Sequence, residues 1–303
     1  MKAAIYFNEL QPLLYGYYIC KGVIFLHRKI SAAVFTVLTA MFMCGCTSDK
    51  NTVGQSGGHN DRGGVTPAET AFLTDGKEKV CYGQGYETDS DNRPVGATQA
   101  QEKYGSYGGR FIFGKDDKTI CLTFDEGYEN GCTGKILDIL KEKKVTATFY
   151  VTLDYVKSSP ELVSRMINEG HEVGNHSCTH PSLPDISDDM VFEEIHGLET
   201  YISDNFGGYK TVTMRPPRGE FSVRTLRIAK NMGYDTVLWS FAYNDWNTDA
   251  QPDRDTAYRR ITSATHNGAV YLLHAVSETN TAILPDVIDY WLDNGYTVKS
   301  ISG

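Results

Sequence analysis

From about residue 105 to the end of the chain, short apolar runs alternate with longer amphipathic stretches at nearly regular spacing. The runs at 119–124, 146–152, 171–175, 211–214, 235–239, 269–274 and 296–300 are rich in Val, Ile, Thr, Tyr and Phe, the residues that suit a strand covered on both faces. Between them, the spans 160–169, 187–205, 222–232, 253–266 and 281–294, with one more starting near Cys132, have helical spacing. Pro160 and Ser187 mark helix starts, and Gly170, Gly233 and Gly295 follow helix ends. Strands alternating with helices of this length predict a parallel sheet curling into a barrel.

The strand ends carry the chemistry. Thr119-Ile120-Cys121-Leu122-Thr123-Phe124 stops abruptly in Asp125-Glu126-Gly127. Taken alone, this could be a turn in which Asp125 caps the following helix. Some fifty residues on, His176 and His180 follow the run His171-Glu172-Val173-Gly174-Asn175, and a single helical turn before Pro181 would face both imidazoles to one point. Two imidazoles and a carboxylate are what a metal hydrolase requires. Three further runs end in polar residues: Met214-Arg215-Pro216-Pro217-Arg218-Gly219, Trp239-Ser240 continuing to Asp245-Trp246, and Leu272-Leu273-His274. Polar groups gathered at the carboxyl ends of successive parallel strands are the pattern of barrel enzymes.

With these strings in hand, the chain from about Tyr104 to Ile301 resembles the polysaccharide deacetylases of carbohydrate esterase family 4, through TFDEG, HSCTH, RPPRG, the Trp239 to Trp246 segment and LLH in that order. The strings TFDEGYENG, MRPPRGEFS and YLLHAVSETN are most similar to the delta-lactam-biosynthetic de-N-acetylases, which implies action on muramic acid of spore-cortex peptidoglycan. The resemblance implies an α/β fold, a distorted and incomplete (β/α)7 barrel. It implies Asp125 as the general base toward a metal-activated water, His176 and His180 as metal ligands, and His274 as the general acid. A backbone N–H near Arg218 would receive the oxyanion. Arg215 is expected to pair with Asp125 and Asp245 with His274, while Trp246 and Leu272 would wall the sugar and its acetyl methyl. The implied cofactor is a divalent metal, zinc first, with cobalt, manganese or magnesium as alternatives.

The chain departs from the family pattern twice. Glu126 stands where most members carry a second, metal-ligating Asp, so the third ligand is either this longer carboxylate or water. Ala242 replaces an acid, which leaves Asp245 as the nearby candidate partner for the histidine. Of the cysteines beyond the leader, Cys81, Cys121, Cys132 and Cys178 show no zinc-clip spacing, and one or two disulfides with any of three pairings are compatible with export.

The N-terminal region is different material. His27-Arg28-Lys29 precedes a fifteen-residue apolar run, 30–44, that fits a signal-peptide core better than a membrane span. Met43-Cys44-Gly45-Cys46 resembles a lipobox in which Cys46 takes the lipid; an uncleaved anchor and plain secretion are the alternatives. Residues 1–46 therefore form the leader, 47–66 a Gly/Asn/Asp/Ser tether, 67–104 a lead-in packing on the barrel, and 105–303 the catalytic domain. The expected location is the outer face of a bacterial membrane, with membrane contact only through the lipid or anchor.

Formal charge is −9, and because the leader through Cys46 carries four basic residues and one acid, the remainder stands at −12. Such a body has no electrostatic affinity for nucleic acid or anionic lipid. Peptidoglycan glycan strands, read by stacking and hydrogen bonds, are compatible partners. Three functions fit: muramic acid de-N-acetylase, deacetylase of N-acetylglucosamine or another exported glycan, and a catalytically dead wall-binding lipoprotein.

Overall fold

The computed structural model describes residues 76–303, together with a short antiparallel pairing of Ile19–Cys20 with Val23–Ile24. The signal-like run, the lipobox at Cys46, the tether and the first part of the lead-in lie outside the described residues. The chain forms two units, Met1–Gly64 and Val65–Gly303, and the second holds everything that follows.

Its strands are β1 (Val80–Cys81), β2 (Gly109–Arg110), β3 (Thr119–Glu126), β4 (Thr148–Val151), β5 (Glu172–Asn175), β6 (Thr213–Met214), β7 (Glu220–Phe221), β8 (Asp235–Val237), β9 (Ala269–His274) and β10 (Thr297–Lys299). The helices are α1 (Val95–Tyr104), α2 (Thr133–Lys143), α3 (Leu153–Ser158), α4 (Pro160–Asn168), α5 (Asp188–Asn205), α6 (Val223–Asn231), α7 (Arg254–Ser263) and α8 (Glu278–Asp293).

Eight strands make one parallel sheet in the order β9-β3-β4-β5-β6-β8-β2, with β10 pairing the start of β3. The sheet curls until the chain beyond β8 meets β9. Phe241 N donates to Val270 O at 3.1 Å, Leu272 N donates to Phe241 O at 2.9 Å, and Phe241 bridges Tyr271. Ser240 N donates to Val270 O at 2.9 Å and Phe113 N to Gly268 O at 2.8 Å along the same seam, so a short, irregular run of backbone bonds closes the barrel, as the resemblance implies.

Strand alternation sorts the side chains into two layers. Ile120, Leu122 and Phe124 of β3, Phe149 and Val151 of β4, and Tyr271 and Leu273 of β9 face the helices in one buried cluster. Cys121, Tyr150, Val270 and Leu272 point inward with Trp239 and Phe221. Gly174 is required where β5 passes β4, because a Cβ there would lie 2.5 Å from the Tyr150 ring. Three helices start where the sequence predicts, with Ser187, Ser222 and Asp253 accepting from backbone amides as N-caps, whereas α8 starts at Glu278 with Ser277 as its cap, ahead of the expected 281.

Two helices are not anticipated by the sequence pattern. α3 spans six residues, too short to show a helical period. α1 buries only Ala97, Ala100 and Tyr104, an inner face too small in side chain to register as an apolar stripe. No two of Cys81, Cys121, Cys132 and Cys178 are joined in a disulfide among the described residues. None of the described helices is long and apolar enough to cross a membrane.

Candidate active site

The carboxyl end of β3 places Asp125 on the inward layer, one step beyond Thr123 and two beyond Cys121. Parallel register sets His274 of β9 directly opposite Asp125, and their side chains share one face. Arg215, which follows β6 and is fully buried, donates from Nη1 to Asp125 Oδ1 at 2.7 Å. Its Nε and Nη2 bond the carbonyls of Val237 at 3.1 Å and Leu238 at 3.2 Å, and its guanidinium lies 4.3 Å from the centroid of the Tyr150 ring. The cation is therefore clamped from three sides and cannot swing away from the aspartate.

Burial would raise the Asp125 pKa, but the charges of Arg215, His176 and His274 and the Arg215 hydrogen bond outweigh it and hold the carboxyl below its ordinary value. His176 Nδ1 lies 2.8 Å from Arg215 O, and because a carbonyl only accepts, Nδ1 carries the proton and Nε2 keeps its lone pair. That Nε2 is 3.6 Å from Asp125 Oδ2.

His180 is brought to His176 by a different device from the helical turn expected. The chain bends through left-handed residues, Ser177 at φ 68° and His180 at φ 58°, and Ser177 Oγ accepts from His180 N at 3.0 Å. Glu194 of α5 anchors the bend by accepting from Thr179 N at 2.7 Å and Thr179 Oγ1 at 2.6 Å. The ring centroids of the two histidines end 4.9 Å apart. Burial lowers both pKa values, that of His180 to about 4, so both rings are neutral donors at neutral pH.

Two neutral imidazoles beside an ionised carboxylate fit a divalent cation that leaves its other positions to water and substrate. Among the described residues no group of three His, Cys, Asp or Glu side chains stands ready to hold one. In particular, Glu126 does not join the histidines. Strand parity places it on the helix-facing layer with Ile120, Leu122 and Phe124, and its carboxyl accepts from Thr133 Oγ1 of α2 at 3.3 and 3.4 Å. Burial, reinforced by the nearby Glu129 charge, raises its pKa well above the ordinary carboxylate value and favours its neutral form in the wall of the fold. The expectation that Glu126 supplies the third ligand is corrected accordingly. Glu126→Gln is expected to leave zinc affinity, measured by competition with a chromogenic chelator, unchanged, whereas His176→Ala and His180→Ala lose it.

Asp245, buried in the loop after β8, accepts from His274 Nδ1 at 2.7 Å with Oδ1 and from His274 N at 2.9 Å with Oδ2. Asn280 Nδ2 donates to Oδ2 at 2.6 Å and completes its shell. Burial alone would push the His274 pKa down, but the hydrogen bond and charge of Asp245, with Asp125 beyond, raise it above the ordinary histidine value. The protonated form of His274 is thereby favoured, and its contribution to stability is complete below the unfolded value and lost as pH rises through the folded one. Asp245→Asn should move the alkaline limb of the kcat/KM profile to lower pH. An unmoved limb would detach His274 from the proton transfer.

Trp246 is 57% exposed and Tyr128 54%, while Leu272 is buried in the barrel interior. Arg218 is exposed at φ 61° in the turn after Arg215. That turn is pinned by Tyr82 N donating to Gly219 O at 3.0 Å, and Gly219 itself, at φ 67°, leaves a Cβ no room against the Trp239 indole. Sequence reasoning missed Tyr150, Asn280 and Tyr82. Only Asn280, six residues past His274 in the SETN string, left a usable signal.

A model of the polysaccharide deacetylase family matches residues 114–237. The peptidoglycan-N-acetylmuramic acid deacetylase PdaA of Bacillus subtilis is 43% identical over 200 residues, covering 66% of this chain and 75% of that protein. The peptidoglycan-N-acetylglucosamine deacetylase PgdA of Listeria monocytogenes is 33% identical over 187 residues, covering 62% of this chain and 39% of that protein. The solved structure of Bacillus subtilis PdaA, described as a family 4 carbohydrate esterase, aligns with a TM-score of 0.71 at 39% identity, covering 75% of this chain and 96% of that one. The family match, the 43% identity and a curled parallel sheet shared with the solved relative make this chain a member of the polysaccharide deacetylases of carbohydrate esterase family 4, hydrolases that cleave amides.

Proposed function

We propose that this chain removes the acetyl group from N-acetylmuramic acid residues of peptidoglycan, on the way to muramic delta-lactam. The observation that carries the reading is the direct cross-strand pairing of Asp125 with His274, the first kept ionised by Arg215 and the second kept protonated by Asp245. A base and an acid with pKa values pushed apart on one face of a pocket are the requirement for cleaving an amide.

His176 and His180 would hold a divalent cation, which when bound supplies Lewis acidity to a carbonyl and lowers the pKa of water. Asp125 Oδ2, the oxygen not committed to Arg215, accepts the proton of the attacking water. A backbone N–H near Arg218 meets the oxyanion, where charge appears only in the transition state. His274, with Nδ1 bonded to Asp245, delivers its Nε2 proton to the departing sugar amine. Trp246 offers a ring face to the sugar, and Leu272 lines the interior against the acetyl methyl. In this reading Cys46 carries the lipid that holds the enzyme at the outer face of the membrane.

The name of the Bacillus subtilis relative supports muramic acid as the sugar, and that of the Listeria relative supports N-acetylglucosamine as the second reading. Mass spectrometry of peptidoglycan digests after incubation with the zinc-loaded full chain separates them. Deacetylated muramic acid on peptide-free strands, closing to the lactam, is the expected product. Glucosamine appearing alone would transfer the assignment to the second sugar.

A further inference from the structure

A groove of about 610 Å³ lies between the segment before α1 and the loop after β8, the loop that goes on to supply Asp245 and Trp246. Its walls are fastened together. Gln84 accepts from the Trp239 indole N–H at 2.9 Å and donates to Ala242 O at 2.9 Å, and Tyr82 O–H donates to Trp239 O at 2.7 Å. Asn92 Nδ2 donates to the Ser263 and Thr265 carbonyls, both at 2.9 Å, and closes the far end. The groove is thus preorganised by side chains that the catalytic constellation does not use.

Tyr86 on its rim is 99% exposed, so both faces of its ring are open to stacking. Arg260 lines the groove with its guanidinium 5.4 Å from the Tyr243 ring centroid and makes no ion pair among the described residues. No Asp or Glu lines the groove. In a chain of net charge −9, a cation left uncompensated among amides, hydroxyls and aromatic rings stands out. Such a lining suits a sugar: the ring face lies on Tyr86, the hydroxyls meet Asn92 Oδ1 and Asn244, and a carboxylate meets the guanidinium. A single guanidinium matches a monoanion better than a phosphate dianion.

We propose that this groove is a second saccharide-binding site, selective for a sugar unit bearing a carboxylate. The proposal rests on the reading that the substrate is a glycan, and it assigns the lead-in a binding role that is separate from the chemistry at Asp125.

The test uses the full chain carrying Asp125→Asn, so that binding is read without turnover. The probes are a tetrasaccharide containing N-acetylmuramic acid and the tetrasaccharide of N-acetylglucosamine, which lacks the carboxylates. Added to that background, Arg260→Gln is expected to weaken binding of the first about tenfold and to leave the second unchanged. Tyr86→Ala should weaken both, and its ring packs against nothing whose loss could unfold the chain. With Asp125 restored, both variants should deacetylate a disaccharide at the parent rate. Affinity for the carboxylate-bearing saccharide that is unaltered in both variants overturns the proposal. So does a stem-peptide-bearing fragment whose binding alone depends on Arg260, an outcome that would assign the cation to a peptide carboxylate. Absence of turnover in the parent with groove binding intact would instead count against the deacetylase reading alone.

Discussion

Asp125→Asn is expected to lower kcat by about 10³- to 10⁴-fold while the chain still folds. The amide has the shape of the carboxylate and can still accept from Arg215 Nη1, but it takes no proton from water. The Arg215 guanidinium, fully buried, then loses its countercharge, which should cost about 1–3 kcal/mol of stability. Acetate release and a denaturant titration measure the two effects separately. Activity within about tenfold of the parent would remove Asp125 from the base role. The sign of the pH dependence follows from the lowered pKa: the stabilising contribution of Asp125 is present above the unfolded value and fades as pH falls through the folded one.

Arg215→Met should produce the largest loss of stability, about 3–5 kcal/mol, because it leaves Asp125 buried without its cation. Burial, the opposing effect on Asp125, then dominates, so its pKa rises and the acid limb of kcat/KM moves to higher pH. Arg215→Lys should rescue little. A lysine cannot bond Asp125, Val237 O and Leu238 O together while lying flat on Tyr150. A methionine variant with a parental denaturation midpoint would show that the pair contributes nothing to the fold.

Much of the site is legible before folding. Strand ends carrying Asp125, Arg215 and His274 announce a barrel rim, and the spacing of His176 and His180 announces a pair of donors. The bend joining those histidines is not legible as such, because its left-handed residues are Ser177 and His180 rather than glycines, held by Ser177 Oγ and Glu194 from another element. Tyr150 under Arg215 and Tyr82 over Gly219 are likewise invisible as partners, since 65 and 137 residues of chain separate them.

Glu126 marks the boundary between what the two levels decide. The sequence by itself determined the alternation of β3, inward Cys121, Thr123 and Asp125 against outward Ile120, Leu122 and Phe124, because successive strand residues must point to opposite faces. It also determined the helix caps and the residue types at each strand end. Only the tertiary structure decided that the outward parity holds through the last residue of β3, sending Glu126 into α2 and Thr133 and away from the histidines. It alone set His274 against Asp125 and folded Gln84 onto Trp239, because sheet register and the packing of distant segments depend on how all the elements fill one interior, a property that no local pattern carries.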